Sequence, residues 1–424
     1  MTFFGALVYT KFLGLNFMGS LQLLQSKLDK LIKEDPSEQK NIGTFTAVHK
    51  NPFVYQYLFH YLNKNVVDRK GYKSLSLFET EIDKYFKRIF ENKAGTTVLT
   101  SGSTESILLA FHYAREFARD EKGITKPNIL IPKHAHYSLK RCAKMLNLEV
   151  RDIELNDSYT TDVEDDKRKI DKNTIMIAAI MISTELGVID DIAALNAIAK
   201  EHNTYLHIDG AIGGFIIPYL DSNVSYKFSK LESLFSMNIS CHKFGLSLVG
   251  GGVLLLRDKK ITQNYTGSIE YLSSGNKKMA GLTVTGSSLG VFSLYTNIML
   301  YKFQGYRKFA KKYIRVKNEL MDILHDFGYT CFPGSPYSPQ IFVYGDDINK
   351  LSKYIEEQGW LQHAYKVTGL DKEGLRIVIK KDQEQMLLNE FVNDVRDFKL
   401  LSNQKLMLKN QFPRLTSVSA RLSS

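Results

Sequence analysis

The chain has 424 residues, of which 44% are hydrophobic and 24% charged, and its formal net charge is +11. This composition excludes a disordered, collagen-like or low-complexity protein, and the length predicts two to three domains with substantial cores. The three cysteines, Cys142, Cys241 and Cys331, are too few and too widely spaced for a disulfide scaffold. A reducing compartment is therefore expected, and we predict a cytoplasmic protein.

The positive charge is concentrated at the C-terminus. Residues 399–424 carry five basic residues and no acidic one, which leaves +6 for the other 398 residues, where both signs are mixed. We interpret this as an ordinary solvated surface followed by a basic tail. The charge alone therefore does not predict a nucleic-acid partner.

The N-terminal stretch is apolar but short. Its apolar run is interrupted by Lys11, falls short of the roughly 20 residues that span a bilayer, and lacks the features of a signal peptide. We predict that residues 1–19 form an extension outside the fold, without stable membrane association.

The predicted elements then follow in chain order. Ser20–Lys33 has the leucine spacing of an amphipathic helix, and residues 76–92 form a second helix. Between about 96 and 258, short apolar runs alternate with helical stretches, which is typical of βαβ units and a mostly parallel sheet. The predicted strands are Thr96–Leu99, Asn128–Ile131, Leu148–Ile153, Thr174–Met181, Tyr205–Ile208 and Gly252–Leu256. The predicted helices are Glu105–Arg119, Ser138–Leu146 and Asp191–His202.

The last part of the chain predicts a second, smaller unit. A long helix, Val291–Phe327, precedes the strands Gln340–Tyr344 and Leu375–Ile379 and the helix Asp347–Gln358. We predict an α/β protein with a large, mostly parallel sheet domain and a smaller C-terminal α/β domain. The expected divisions are 20–75 for an N-terminal segment, 76–290 for the large domain, 291–398 for the connecting helix and small domain, and 399–424 for the tail.

Two of the motifs at the ends of predicted strands suit a phosphorylated ring. Residues 100–106 (TSGSTES) join a strand to a helix, and small residues at a helix N-terminus favour a phosphate, although an ordinary N-cap looks similar. Asp209 ends a buried strand, where a carboxylate is costly unless it meets a cation. A hydrogen-bonded core acid is the alternative interpretation.

Two further motifs carry an amine and imidazoles. Lys243 follows His242 in an apolar, glycine-rich setting that could lower its pKa, as a Schiff-base lysine requires, although most lysines lie on the surface. His134 and His136 lie two positions apart, but no further ligand follows at metal-binding spacing. We therefore expect no metal site.

Taken together, the order and spacing of these motifs are specific. The blocks Ser183–Ile192, Leu206–Leu220 and Ser236–Leu246 resemble the group II pyridoxal-phosphate decarboxylases, nearest to the archaeal L-tyrosine/L-aspartate decarboxylases, with sphingosine-1-phosphate lyase as a close relative. The resemblance runs from about residue 20 to 398. It implies the type I PLP-dependent transferase fold (aspartate aminotransferase-like), pyridoxal 5'-phosphate as cofactor, and a homodimer with shared active sites.

The resemblance also implies a role for individual residues. Lys243 would form the Schiff base with the cofactor, Asp209 would pair with the pyridine nitrogen, and His136 would stack on the ring. The remaining cofactor-binding residues would be His242, Ala211, Gly102, Ser103, Thr104 and Thr184.

Two residues would serve the substrate. Arg376 would hold the substrate carboxylate. Tyr271, in the glycine- and serine-rich segment 266–281, would protonate the substrate Cα, with Tyr265 as the nearer rival. A tyrosine that packs on a partner subunit is the alternative interpretation of Tyr271.

Four positions depart from the family pattern. Ser103 replaces a glycine of the phosphate loop, Ile182 replaces another glycine, Ser240 replaces the aspartate two residues before His242, and Ser288 replaces an arginine. These departures bear on the identity of the substrate.

The predicted function is PLP-dependent decarboxylation of an L-amino acid, of the tyrosine, aspartate or glutamate type, to its amine and carbon dioxide. The only partners expected are this small-molecule substrate and a second copy of the chain. Two alternatives stay open: an aldehyde-lyase of the sphingosine-1-phosphate type, and a catalytically silent or tRNA-linked protein with the same fold. The presence of Lys243, Asp209, His136 and His242 together argues against a catalytically silent protein.

Overall fold

The computed structural model describes residues 17–68, 71–269, 277–283 and 285–411. Of the predicted extension 1–19, residues 1–16 lie outside this range, and the first helix begins at Phe17. Across the described ranges, no helix combines the length and the apolar character needed to cross a membrane.

The large sheet has seven strands in the order β1-β7-β6-β5-β4-β2-β3. Strand β7 is antiparallel to both of its neighbours, and the other neighbouring pairs are parallel. The strands are β1 Thr96–Thr100, β2 Asn128–Pro132, β3 Glu149–Ile153, β4 Thr174–Ile180, β5 Tyr205–Asp209, β6 Leu234–Ser240 and β7 Gly252–Leu256. Every residue of β2, β4, β6 and β7 is buried, as the apolar runs of a sheet covered on both faces require.

Helices alternate with these strands. Asp162 and Asp191 cap the N-termini of the helices Val163–Lys169 and Ile192–Glu201 through their side chains, which fixes where these helices begin. The helices are α1 Phe17–Glu34, α2 Pro52–Tyr61, α3 Lys73–Ile89, α4 Ser103–Lys122, α5 Tyr137–Met145, α6 Val163–Lys169, α7 Ile192–Glu201 and α8 Lys259–Asn264. The mostly parallel α/β architecture predicted from the sequence is therefore confirmed.

A second sheet lies near the C-terminus. It is antiparallel, with the strand order β10-β11-β13-β12, and a separate hairpin is formed by β8 and β9. These strands are β8 Gly267–Ile269, β9 Lys277–Met279, β10 Thr330–Phe332, β11 Gln340–Tyr344, β12 Tyr365–Val367 and β13 Leu370–Val378. The helices of this part are α9 Leu289–Asp326, α10 Ile348–Glu357 and α11 Val392–Gln411, with helical turns Glu384–Met386 and Leu387–Phe391 before α11.

Two features of the long helices differ from the sequence pattern. Helix α9 is interrupted at Lys302, whose backbone is non-helical with φ 49° and ψ −163°. Helix α11 continues to Gln411 and so runs across residue 399, where we placed the start of the basic tail because the sequence has no clear periodicity there. Val395 and Phe398 are buried on its first turns, and this packing propagates the helix into the polar sequence beyond them.

Candidate active site

A cavity of about 340 Å³ opens where the large-sheet strands end. Strands β1, β2, β4, β5 and β6 each lead into a loop or helix that contributes to its wall, as expected for an open α/β sheet. The nine cofactor-binding residues predicted from the sequence all line it: Gly102, Ser103, Thr104, His136, Thr184, Asp209, Ala211, His242 and Lys243.

Asp209 is the acid at the floor of this cavity. It is the last residue of β5 and is only 5% exposed. Its Oδ1 accepts hydrogen bonds from the backbone N–H of Ala211 at 3.0 Å and from Nδ2 of Asn238 at 2.8 Å. Among the described residues no hydrogen bond is recorded for Oδ2, which leaves that oxygen for a ligand in the cavity.

A buried hydrogen-bonded chain orients Asp209 from behind. Asn238 lies opposite Asp209 in the β5–β6 register, and its Oδ1 lies 2.8 Å from Nε2 of His207. The Asn238 amide donates to Asp209, so its oxygen accepts, and the proton of His207 must be on Nε2. Nδ1 of His207 then accepts from the Ser236 hydroxyl at 2.8 Å. Burial lowers the pKa of His207 to about 4, so the ring is neutral. Every hydrogen bond from Ser236 to Asp209 then donates in the same direction.

Lys243 is half-buried and lines the same cavity as this acid. Burial is the main cause that lowers its pKa to about 8, with a smaller contribution from the Arg376 guanidinium, while Asp209 acts in the opposite direction. An amine with a lowered pKa is more often unprotonated at neutral pH and is therefore a better nucleophile.

The opposite end of the cavity is built for an anion. Helix α4 begins at Ser103, so its free backbone N–H groups and positive dipole end face the cavity. Gly102 has φ 150°, a conformation that a residue with Cβ rarely adopts. The Ser240 hydroxyl donates to the Ser103 hydroxyl at 2.8 Å, so two of the four departures from the family pattern contact each other. Ser240 is a site residue that the sequence analysis missed.

Two imidazoles complete the cavity wall. The Gly251 carbonyl accepts from Nδ1 of His242 at 3.1 Å, which leaves Nε2 for a ligand. Nδ1 of His136 accepts from the backbone N–H of Ser138 at 3.3 Å, as the N-cap of α5, so its proton is on Nε2. Burial is the main cause that lowers the pKa of both histidines.

Arg376 does not line the cavity, but it lies next to it. Its guanidinium donates to the carbonyl oxygens of Thr184, at 2.9 Å, and of Gly43. Its Cζ lies 5.0 Å from the ring centre of Phe45, and Nζ of Lys243 lies 5.3 Å from the same ring. The buried Phe45 ring is therefore close to both the lysine and the arginine, a position that no sequence pattern indicated.

The structure describes only one of the two tyrosine candidates for the proton donor. Tyr271 lies outside the described residues. Tyr265 is hydrogen-bonded to Asp120, which belongs to the last turns of α4, whereas the first turn of α4 lines the cavity. A helix of 20 residues is about 30 Å long, so the rival Tyr265 lies far from the cavity of its own chain.

The other two departures from the family pattern are buried. Ile182 lines the cavity and is 2% exposed. Ser288 is fully buried, and its hydroxyl donates to the Tyr61 carbonyl at 2.6 Å, so it joins α9 to the end of α2. At this position the chain has a structural contact and no cation.

Together, these groups fit one ligand chemistry. A carboxylate with a free oxygen, a half-buried amine of lowered pKa and an anion site at a helix N-terminus suit a phosphorylated pyridine aldehyde. The cavity volume also suits such a ring. The fold and the site therefore define a pyridoxal-phosphate-dependent enzyme.

Comparison with known proteins specifies the family. The pyridoxal-dependent decarboxylase conserved domain matches residues 52–329, so the chain belongs to the pyridoxal-dependent decarboxylase family. The L-aspartate decarboxylase of Thermococcus kodakarensis is 28% identical over 377 residues, which cover 88% of this chain and 95% of that protein. The predictions of a PLP cofactor and of amino acid decarboxylation are confirmed at this level.

Solved structures share the fold. Lactobacillus brevis glutamate decarboxylase superposes with a TM-score of 0.82 at 22% identity, over 91% of this chain and 92% of that one. Sphingosine-1-phosphate lyase from Burkholderia pseudomallei has a TM-score of 0.79 at 22% identity, over 91% and 94% of the two chains.

Proposed function

We propose that this chain decarboxylates an acidic or aromatic L-amino acid, with aspartate, glutamate and tyrosine as the candidates, to its amine and carbon dioxide. The observation that carries this proposal is the position of Lys243 and Asp209 in one cavity. The amine of Lys243 is the group that would hold the cofactor aldehyde, and the free Oδ2 of Asp209 would receive the pyridine N–H.

The cofactor supplies an electron sink for the bond that breaks. The residues around it would supply position and charge. Asp209, oriented by Asn238, would keep the pyridine nitrogen protonated. The first turn of α4, Ser103, Ser240 and Nε2 of His242 would bind the phosphate, and this anion would favour the protonated form of His242.

The remaining side chains would act on the substrate. His136 would hold the ring plane, and Arg376 would bind the substrate carboxylate with the N–H groups that are not engaged by Thr184 and Gly43. After carbon dioxide leaves, Cα needs a proton, for which Tyr271 is our proposed donor.

We also propose a cytoplasmic homodimer with shared active sites. Helix α1 is exposed along its described length, and its leucines Leu23 and Leu24 are 73% and 53% exposed. On α2, Phe59 is 84% exposed. Large apolar side chains exposed together on a protein surface often mark an interface, and a second copy of the chain would cover them. Equilibrium sedimentation of the wild-type protein and of Phe59→Asp tests this proposal, which requires a dimer weakened by the substitution.

A substrate survey of the purified protein tests the proposed decarboxylase function. The purified protein is saturated with PLP, and release of carbon dioxide and amine is measured for each L-amino acid, with Lys243→Ala as the inactive control. We expect amine from one or more of the three candidates. A phosphorylated amino alcohol is included as a further substrate. Cleavage of that compound to an aldehyde, without amine from any amino acid, would replace the decarboxylase proposal with a lyase.

A further inference from the structure

A segment without regular secondary structure packs against residues of the cavity wall. We name residues 41–51 the strap; buried or half-buried residues alternate with exposed ones from Gly43 to Ala47, and Val48 is buried as well. Gly43 meets Arg376, Phe45 lies against Lys243, and the backbone N–H of Ala47 donates to the His242 carbonyl at 2.9 Å. The strap therefore contacts the substrate arginine and the cofactor lysine through successive odd-numbered residues.

One end of the strap lies on the small antiparallel sheet. The Ile42 carbonyl accepts from the backbone N–H of Val378 at 2.9 Å, and Gly43 N–H donates to Leu361 at 3.0 Å. Nζ of the buried Lys380 donates to the Asn41 carbonyl at 2.7 Å. This end is therefore held by several independent hydrogen bonds.

The other end is held through side chains, and His49 is the central one. Its Nδ1 lies 2.5 Å from Oδ2 of Asp382, and its Nε2 lies 2.7 Å from the Tyr301 hydroxyl. Because a carboxylate only accepts, Nδ1 carries a proton toward Asp382, and Nζ of Lys381 lies 3.0 Å from the same nitrogen. Nε2 and the Tyr301 hydroxyl form the second hydrogen bond. Lys381 donates to Oδ1 of Asp382 at 2.7 Å, and the side chain of His49 is only 7% exposed.

The backbone at this junction is unusual on both sides. Asp382 has φ 70° and Lys302, directly after Tyr301, has φ 49°. Non-glycine residues adopt positive φ rarely, and such conformations persist where the surroundings enforce them. The chain thus accepts two unfavourable conformations where the strap, the interruption of α9 and the end of the small sheet meet.

We propose that His49 is a positioning residue for the substrate, acting through the strap. Its hydrogen bonds to Tyr301 and Asp382 fix the second end of the strap, so that the Phe45 ring stays against Arg376 and holds it in place for a carboxylate. This inference rests on the proposed function, because it concerns the substrate side of the same cavity. The cofactor itself is held by other residues.

The test uses the PLP-loaded full chain with the amino acid that it decarboxylates. The variants are Tyr301→Phe, which removes one hydroxyl, Asp382→Asn, which tolerates positive φ, and His49→Gln. Loss of a hydrogen bond to a charged group changes an equilibrium constant by roughly tenfold. We therefore expect KM to rise roughly tenfold in Asp382→Asn and His49→Gln, and less in Tyr301→Phe. We expect kcat and the cofactor absorbance to change little, because the strap acts on binding.

Two further readouts separate this role from general destabilisation. Hydrogen exchange of residues 44–51 should accelerate in the variants, while exchange in β5 stays unchanged. The double variant Tyr301→Phe/His49→Gln should be no worse than His49→Gln, since the three groups act as one unit. Tyr354→Phe, on α10, and the exposed His325→Gln are the matched controls.

The outcomes are distinct. An active wild-type protein whose three variants keep its KM and its strap exchange would overturn the inference about His49. A wild-type protein that forms no amine would overturn the proposed function, whereas accelerated strap exchange in the variants would still support the anchoring contacts.

Discussion

Asp209→Asn isolates the charge of the acid at the floor of the cavity. An asparagine can keep its Oδ1 toward the N–H of Ala211 and Nδ2 of Asn238, which now hydrogen-bond to Oδ1 of Asp209. Its own amide nitrogen then occupies the place of Oδ2 and donates toward the cavity. The substitution therefore preserves shape and hydrogen bonding while it replaces an acceptor of the pyridine proton with a donor.

The expected loss follows from the charge. Two unit charges about 4 Å apart interact by about 4 kcal/mol at the effective dielectric of a protein site. Since each 1.4 kcal/mol of barrier is about tenfold in rate, kcat should fall roughly a thousandfold. The buried chain from Ser236 through His207 to Asn238 stays intact, so the fold and the thermal stability should change little.

The assay is single-turnover carbon dioxide release from the PLP-saturated variant, with the cofactor content measured by absorbance. Asp371→Asn, the same substitution at an exposed position, is the control and should match the wild type. A rate for Asp209→Asn within a few-fold of the wild type, at full cofactor occupancy, would refute the reasoning and make Asp209 a structural acid.

Four further predictions concern other residues. Arg376→Lys should raise KM while the cofactor spectrum is preserved, because an ammonium cannot replace the planar guanidinium; an unchanged KM would move the carboxylate site elsewhere. Ser240→Ala should weaken PLP binding by roughly fivefold in a cofactor titration, because it removes the hydroxyl that donates to Ser103. An affinity for PLP equal to that of the wild type would exclude Ser240 from the phosphate site. Tyr271→Phe should consume substrate but form less amine, measured by chromatography of the products, and normal amine yield would contradict its role. Asp166 is fully buried, with no hydrogen-bond partner for either oxygen within the described residues, and burial raises its pKa to about 8. Between the unfolded value near 4 and this folded value only the unfolded state ionises, so the contribution of Asp166 to stability is fully present below pH 4 and is lost, on the order of several kcal/mol, as pH rises to 8. Asp166→Asn should abolish this part of the slope in urea unfolding at pH 5 and pH 8, whereas parallel slopes for variant and wild type would contradict it.

The sequence predicted most of the large sheet because its strands are buried on both faces. Apolar runs such as Asn128–Ile131 and Tyr205–Ile208 differ from the observed strands β2 and β5 by a single residue. Strand β6 was given no bounds, because Ser236, Asn238 and Ser240 interrupt its apolar pattern. These polar residues belong to the site: two of them serve the Asp209 chain and the third contacts Ser103.

The site residues predicted from the sequence share one property, which is that they follow strands of one sheet. The topology alone therefore brings Gly102, His136, Asp209 and Lys243 together. Phe45 and His49 could not be predicted in this way, since the strap has neither helical nor alternating hydrophobic periodicity. Its position depends on tertiary hydrogen bonds, such as that of Ala47 to His242, which leave no local pattern in the sequence.

The most direct test of the account is to locate the cofactor on the chain. The PLP-loaded protein is reduced with borohydride and digested, and the pyridoxyl-labelled peptide is identified by mass spectrometry, with Lys243→Ala treated in parallel. We predict one labelled peptide, with the modification on Lys243, and no specific label in the variant. Label on another lysine, or undiminished label in Lys243→Ala, would contradict it.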